Sequence, residues 1–255
     1  MLLLHGIGGE LCVWEPVLGA LASSYDAIAV DLPGFGHSPP LPDQIVPTPA
    51  ALARALIQFL DELAIAQAHL VGNSLGGWLA LQVAALGRAL SVTALCPAGL
   101  WPAPSLAEGP VVRGRAHRVV KRLGPALPLL LASRRVRRVV LAAFVADPDK
   151  VPYRATVRML RSYGRATAYD ATATAMRQSH FAAGTEVGVP VTVAFGERDR
   201  LIRPVRSGIR DARTVMLPGC GHIPMWDAPP LVAAVIRETA EPAVPAPVDG
   251  SLTAT

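Results

Sequence analysis

Two rhythms of hydrophobic and polar residues alternate along the chain. Short apolar runs bounded by Gly, Pro or Asp give way to longer segments whose apolar positions recur every three or four residues. The short runs predict buried strands at Leu2 to Leu4, 26–30, 68–71, 90–96, 189–195 and 214–217. The longer segments predict helices. One covers 14–22, with Trp14, Val17, Leu18 and Leu21 on one side, and another covers 50–64, with Leu52, Leu56, Phe59, Leu60 and Leu63 as its stripe. Further helices are expected at 77–86 and 229–240, and a short one opening at Pro204. Thr48 and Pro49 suit the cap and first position of the second helix. Strands alternating with helices predict an α/β fold with a mostly parallel sheet of about six strands, whose strand-to-helix loops all open on one edge.

The alternation stops between residues 100 and 188. That segment is rich in Arg, Ala and Leu at helical spacing, as in His117 to Leu123, and Arg137 and Arg138 make a helix of the β-branched run at 136–140. The organisation expected is a core in two parts, 1–99 and 189–240, with a helical cap, 100–188, inserted over the C-terminal edge of the sheet. The Pro- and Ala-rich tail 241–255 is expected to be disordered.

Composition narrows the class. The chain of 255 residues is 51% hydrophobic, enough for one large domain with a substantial core. No apolar stretch approaches the roughly 20 residues that cross a bilayer, and the N-terminus lacks a basic segment of a signal peptide. Cys12, Cys96 and Cys220 are odd in number and in no paired spacing, so neither a disulfide framework nor a zinc site is indicated, and a cytoplasmic location is expected. Lys and Arg exceed Asp and Glu by 24 to 19, with the excess between Arg113 and Arg165. No nucleic-acid motif accompanies it, so solvated helix faces are expected, with neither a nucleic-acid partner nor stable membrane insertion.

The chemistry centres on Gly72-Asn73-Ser74-Leu75-Gly76, between a predicted strand and a predicted helix. A serine in such a sharp turn needs small residues two positions away on both sides, and the start of the helix turns free amides, Leu75's among them, toward whatever the serine attacks. His5-Gly6-Ile7-Gly8-Gly9, directly after the first strand, is a glycine-rich loop able to supply a second amide. Ser74 needs a base near neutrality, and His222 follows the last strand. A carboxylate must orient that imidazole; Asp199 follows the fifth strand, with Glu197 as a stand-in. Asp31 and His37, in the Pro33-Gly34-Phe35-Gly36 turn, read as structural. His37, His69, His117 and His180 lack metal-ligand spacing, Cys220 lacks an elbow, and the tryptophans Trp14, Trp78, Trp101 and Trp226 suit the core.

In that order, His5-Gly6, the Asp31 to Ser38 turn, Gly-Asn-Ser-Leu-Gly, Gly196-Glu197-Arg198-Asp199 and Gly221-His222 resemble the motifs of the α/β-hydrolase superfamily, from Leu2 to about Ala240. The resemblance implies Ser74 as nucleophile, Asp199 as acid and His222 as base. It implies an oxyanion hole from the Leu75 amide plus that of Ile7 or Gly8, no cofactor and no metal, and a cap that lines the pocket of a small acyl substrate. The activity it implies is ester hydrolysis through an acyl-enzyme. Carbon-carbon bond hydrolases of ring-cleavage products share Gly-Asn-Ser-x-Gly-Gly and are the alternative, while the family's epoxide hydrolases and dehalogenases carry a carboxylate at the elbow. A ligand receptor or inactive fragment on the same fold is a further alternative. Family members usually have two more strands before the His-Gly strand. Either residues are missing at the start or the six-stranded sheet has an exposed edge, which would favour a homodimer.

Overall fold

The computed structural model describes residues 1–100, 115–182, 185–205 and 208–241. Six parallel strands form one sheet: β1 (Leu2–Leu4), β2 (Ile28–Val30), β3 (Ala68–Asn73), β4 (Ala89–Leu95), β5 (Val191–Gly196) and β6 (Arg213–Leu217), in the order β2-β1-β3-β4-β5-β6. The core helices are α1 (Glu15–Ala22), α2 (Pro49–Glu62), α3 (Leu75–Ala85) and, after β6, α9 (Pro224–Asp227) and α10 (Pro229–Ala240).

Both faces of the central strands β1, β3, β4 and β5 are covered, which is why they read as continuous apolar runs, whereas the edge strands β2 and β6 are only partly buried. Leu2, Leu4 and Leu70 join Leu52, Leu56, Leu60, Leu79 and Val83 in one core cluster beneath α2 and α3. Their neighbours Leu3 and Val71 point the other way and pack with Trp14, Val17, Leu21, Val232 and Ile236 of the α1 and α10 side. A one-residue slip of β1 on β3, now paired as Leu3 with Val71, would exchange these two sets.

Element boundaries differ from expectation for local reasons. A 3-10 turn, Leu11–Trp14, precedes α1, which therefore begins at Glu15, while α2 begins at Pro49 because the Thr48 hydroxyl accepts the Ala51 amide at 3.1 Å. The helix expected to open at Pro204 falls partly on residues 206 and 207, outside the described residues; ahead of it the carboxylate of Asp199 accepts from the amides of Leu201 and Ile202, at 2.7 and 3.0 Å. The four-residue α9 carries no apolar period and was not expected.

Between β4 and β5 the described residues include the helices α4 (Arg115–Arg122), α5 (Leu127–Ala132), α6 (Arg134–Leu141), α7 (Tyr153–Arg165) and α8 (Tyr169–Arg177). They rest on the loops that leave the strands. Tyr163 lies against Gly8, the Ala168 amide donates to the Gly34 carbonyl at 3.2 Å, and the Ile223 amide donates to the Phe144 carbonyl at 2.7 Å. The stretch 101–114 and the tail from 242 on, where disorder was expected, lie outside the described residues. Trp14 and Trp78 are fully buried and Trp226 nearly so; Trp101 lies in the undescribed stretch.

Candidate active site

Strand order reverses between β1 and β3, the place where an open parallel sheet leaves a crevice at its C-terminal edge. The His5 to Gly9 loop leaves β1 there and Ser74 leaves β3. Ser74 has φ 56° and ψ −116°, a left-handed conformation that costs a residue with a side chain about 1–3 kcal/mol. Its amide donates to the Leu95 carbonyl at 2.9 Å, and its carbonyl accepts from Trp78 at 3.2 Å and from Ala98 at 3.0 Å, so the turn is clamped on both sides. Helix α3 starts at the next residue, leaving the Leu75 amide among the first-turn donors that have no helical acceptor.

The glycines flanking Ser74 are required by close approach. A Cβ on Gly72 would stand 2.1 Å from the Gly76 carbonyl oxygen, and one on Gly76 would stand 2.1 Å from that of Leu4. The strand, the elbow and the His5 loop thus touch backbone to backbone. A Cβ on Gly6 would likewise come within 3.0 Å of Ser74 Cβ, so this loop sits directly against the serine.

His222 Nδ1 lies 2.8 Å from Asp199 Oδ2, with the Asp199 side chain fully buried and that of His222 7% exposed. Because the carboxylate can only accept when ionised, Nδ1 carries the proton, and Nε2 is the ring nitrogen left for a reacting group. Burial alone would raise the Asp199 carboxyl pKa. The hydrogen bond and charge of His222, with the Ile202 and Leu201 amides, outweigh burial and hold it below the usual carboxylate value. Asp199 is therefore ionised throughout the neutral range, and the stability it lends is lost only as pH falls through that depressed value. Glu197 is turned away, accepting the Gly219 amide at 2.7 Å.

Three positioning groups were not singled out from the sequence. The Asn73 amide donates to the His222 carbonyl at 2.8 Å and to the Leu95 carbonyl at 3.1 Å, tying the residue before Ser74 to the histidine loop. Asp227 accepts from Gly221, Ala146 and Asp147 at 2.7, 3.0 and 3.0 Å, joining that loop to the segment after α6. Cys96, at φ 46°, is fully buried; its sulfur, an Asp199 oxygen and a His222 nitrogen all lie within 4.8 Å of one another. Burial, then the Asp199 charge, push its thiol well above the ordinary value, so it stands as a neutral group beside the pair. Only Asn73, inside the motif, carried a signal in its position; the other two depend on long-range packing. Cys220 is also fully buried, and burial pushes its thiol up to about 11.

His5 serves the loop rather than the chemistry. Its Nδ1 lies 2.7 Å from the Gly6 carbonyl and its Nε2 accepts the Leu32 amide at 3.0 Å, which fixes the Nδ1–H tautomer; burial lowers its pKa. Asp31 stitches the neighbouring turn, accepting from Leu11 at 2.7 Å and His37 at 2.9 Å. Asp31→Ala is therefore expected to cost about 1–2 kcal/mol in urea unfolding while sparing the reactivity of Ser74; unchanged stability would show that these bonds are replaced by water at no cost.

The fold is that of an α/β hydrolase. Residues 1–235 match the family model described as "Alpha/beta hydrolase family", and the chain belongs to that family. It is 31% identical over 222 residues to epoxide hydrolase EphH of Mycobacterium tuberculosis, covering 77% of this chain and 96% of that protein. It is 39% identical over 136 residues to a dihydrolipoyllysine-residue acetyltransferase component of the acetoin cleaving system of Cupriavidus necator, covering 52% of this chain but only 35% of that protein. The 2-hydroxy-6-oxo-6-phenylhexa-2,4-dienoate hydrolase of a Rhodococcus species shares the fold at TM-score 0.72 and 21% identity, covering 93% of this chain and 89% of that one. No helix among the described residues is long and apolar enough to cross a membrane.

Proposed function

We propose that the protein is a serine hydrolase that cleaves a carboxylic ester or related acyl bond through an acyl-enzyme on Ser74. One observation carries the reading: a serine in a strained elbow whose preceding residue, Asn73, holds the backbone of a histidine that is itself paired with a buried aspartate. In this reading Nε2 of His222 takes the Ser74 proton as Oγ attacks the acyl carbon. The amides of Leu75 and of Ile7 or Gly8 receive the developing oxyanion. The imidazolium, stabilised by Asp199, protonates the leaving group, and His222 then activates the water that releases the acid and restores Ser74.

The relative named as an epoxide hydrolase supports hydrolytic chemistry in general, but the nucleophile favours an acyl substrate here. A serine that opened an epoxide would be left as an ether, which water does not readily cleave. A serine acylated by an ester is left as an ester, which water does. The test is labelling by a fluorophosphonate probe, followed by p-nitrophenyl esters of increasing acyl length run beside a vinylogous diketone. Labelling at Ser74 and turnover of an ester are expected. Turnover of the diketone alone would transfer the assignment to carbon-carbon hydrolysis, and ligand binding with neither labelling nor turnover would make the protein a receptor.

A further inference from the structure

Charge is divided unevenly along the chain. Residues 100–188 hold 15 Lys and Arg against 5 Asp and Glu, whereas the remainder holds 9 against 14. This segment is thus strongly basic and the rest of the chain acidic, and part of that charge is gathered in one groove. Arg154, Arg158, Arg161 and Arg165 are exposed and stand four, three and four residues apart on α7, the face opposite its buried Thr156, Leu160 and Tyr163. With Glu10 and Tyr153 they line a groove of about 550 Å³.

Two of these arginines are already committed. Glu10 is 4% exposed, and its carboxylate lies 3.4 Å from Arg158 and 3.7 Å from Arg165; Arg158 also pairs with Glu15. Even so, Glu10 Oε2 has no hydrogen-bond partner. Neither Arg154 nor Arg161 has a carboxylate within 4.0 Å among the described residues. Four guanidinium groups against two carboxylates leave two positive charges facing the groove.

We propose that this groove binds a phosphate monoester. Such a group carries about −1.5 to −2 at neutral pH, which matches the surplus, and its three oxygens accept from two guanidinium forks at once. A single carboxylate would balance only one of the free arginines. The volume lies within the roughly 300–1,000 Å³ typical of small-ligand sites, which favours a small molecule over the surface of an acidic protein. Tyr153 and Val157, also on the groove wall, offer apolar contact to the organic part of the ester. Glu10 directly follows the loop that lies against Ser74, and Tyr163 on the opposite face of α7 packs on Gly8 of that loop. A ligand held here therefore braces the loop without entering the catalytic crevice.

The experiment is calorimetric titration of the full chain with phenyl phosphate, with inorganic phosphate and benzoate as comparisons. Saturable binding of phenyl phosphate is expected, with inorganic phosphate competing and benzoate binding at least tenfold more weakly. The double substitution Arg154→Gln with Arg161→Gln removes only exposed side chains and should weaken phenyl phosphate about tenfold or more, leaving the melting temperature unchanged. Ser74→Ala should bind phenyl phosphate as wild type does, so the result stands apart from whether the protein is an esterase. Absence of saturable binding, equal binding of benzoate, or undiminished affinity in the double variant overturns the proposal. So does capture of an acidic protein by a chain that ignores phenyl phosphate.

Discussion

Ser74→Ala is expected to lower turnover of an activated ester by on the order of 10⁴-fold or more, with His222→Ala close behind. Losses of this size arise because the groups act as a unit. A hydroxyl without its base is a poor nucleophile, and a base without the hydroxyl has nothing to deprotonate. The two single losses should therefore not add in the double variant. The comparison is clean for Ser74, because alanine keeps the backbone bonds to Leu95, Trp78 and Ala98 that hold the elbow. An unchanged melting temperature with lost turnover assigns the effect to chemistry. Wild-type rates in Ser74→Ala or His222→Ala would refute the mechanism.

The route from sequence to fold was most direct where one physical demand dominates. Two-sided burial forces apolar runs in the central strands β1, β3, β4 and β5, and apolar runs marked the partly exposed edge strands β2 and β6 as well; the Thr48 cap, Pro49 and the stripe from Leu52 to Leu60 marked α2 nearly to its ends. Gly72 and Gly76 were legible because an elbow tolerates nothing larger, and the structure locates the atoms responsible in the carbonyls of Gly76 and Leu4. What the sequence hides is contact between distant residues that no shared motif links. Cys96 beside Asp199, Asp227 spanning Gly221 and Ala146, and the Asn73 amide reaching 149 residues along the chain to His222 leave no periodic trace.

The same substitution at two glycines should move stability in opposite directions. Gly76 lies in α3, where alanine would ordinarily gain up to about 1 kcal/mol from reduced backbone freedom. Here the added Cβ would stand 2.1 Å from the Leu4 oxygen, 2.6 Å from the Leu4 carbonyl carbon and 2.7 Å from the His5 oxygen, all main-chain atoms. Relief requires α3 to lift from β1, which separates Leu75 and Leu79 from Leu2 and Leu4 and pulls the elbow from the His5 loop. Gly76→Ala is therefore expected to cost about 4 kcal/mol or more, among the largest effects of a single methyl group, and to abolish labelling of Ser74. Gly19, exposed within α1, has nothing within 4 Å of its added Cβ, and Gly19→Ala should stabilise by about 0.5–1 kcal/mol. Urea midpoints on the two variants decide the matter: a Gly76→Ala protein within 1 kcal/mol of wild type would mean that the strand and helix can part without harm, and the close-contact account of the elbow would fail.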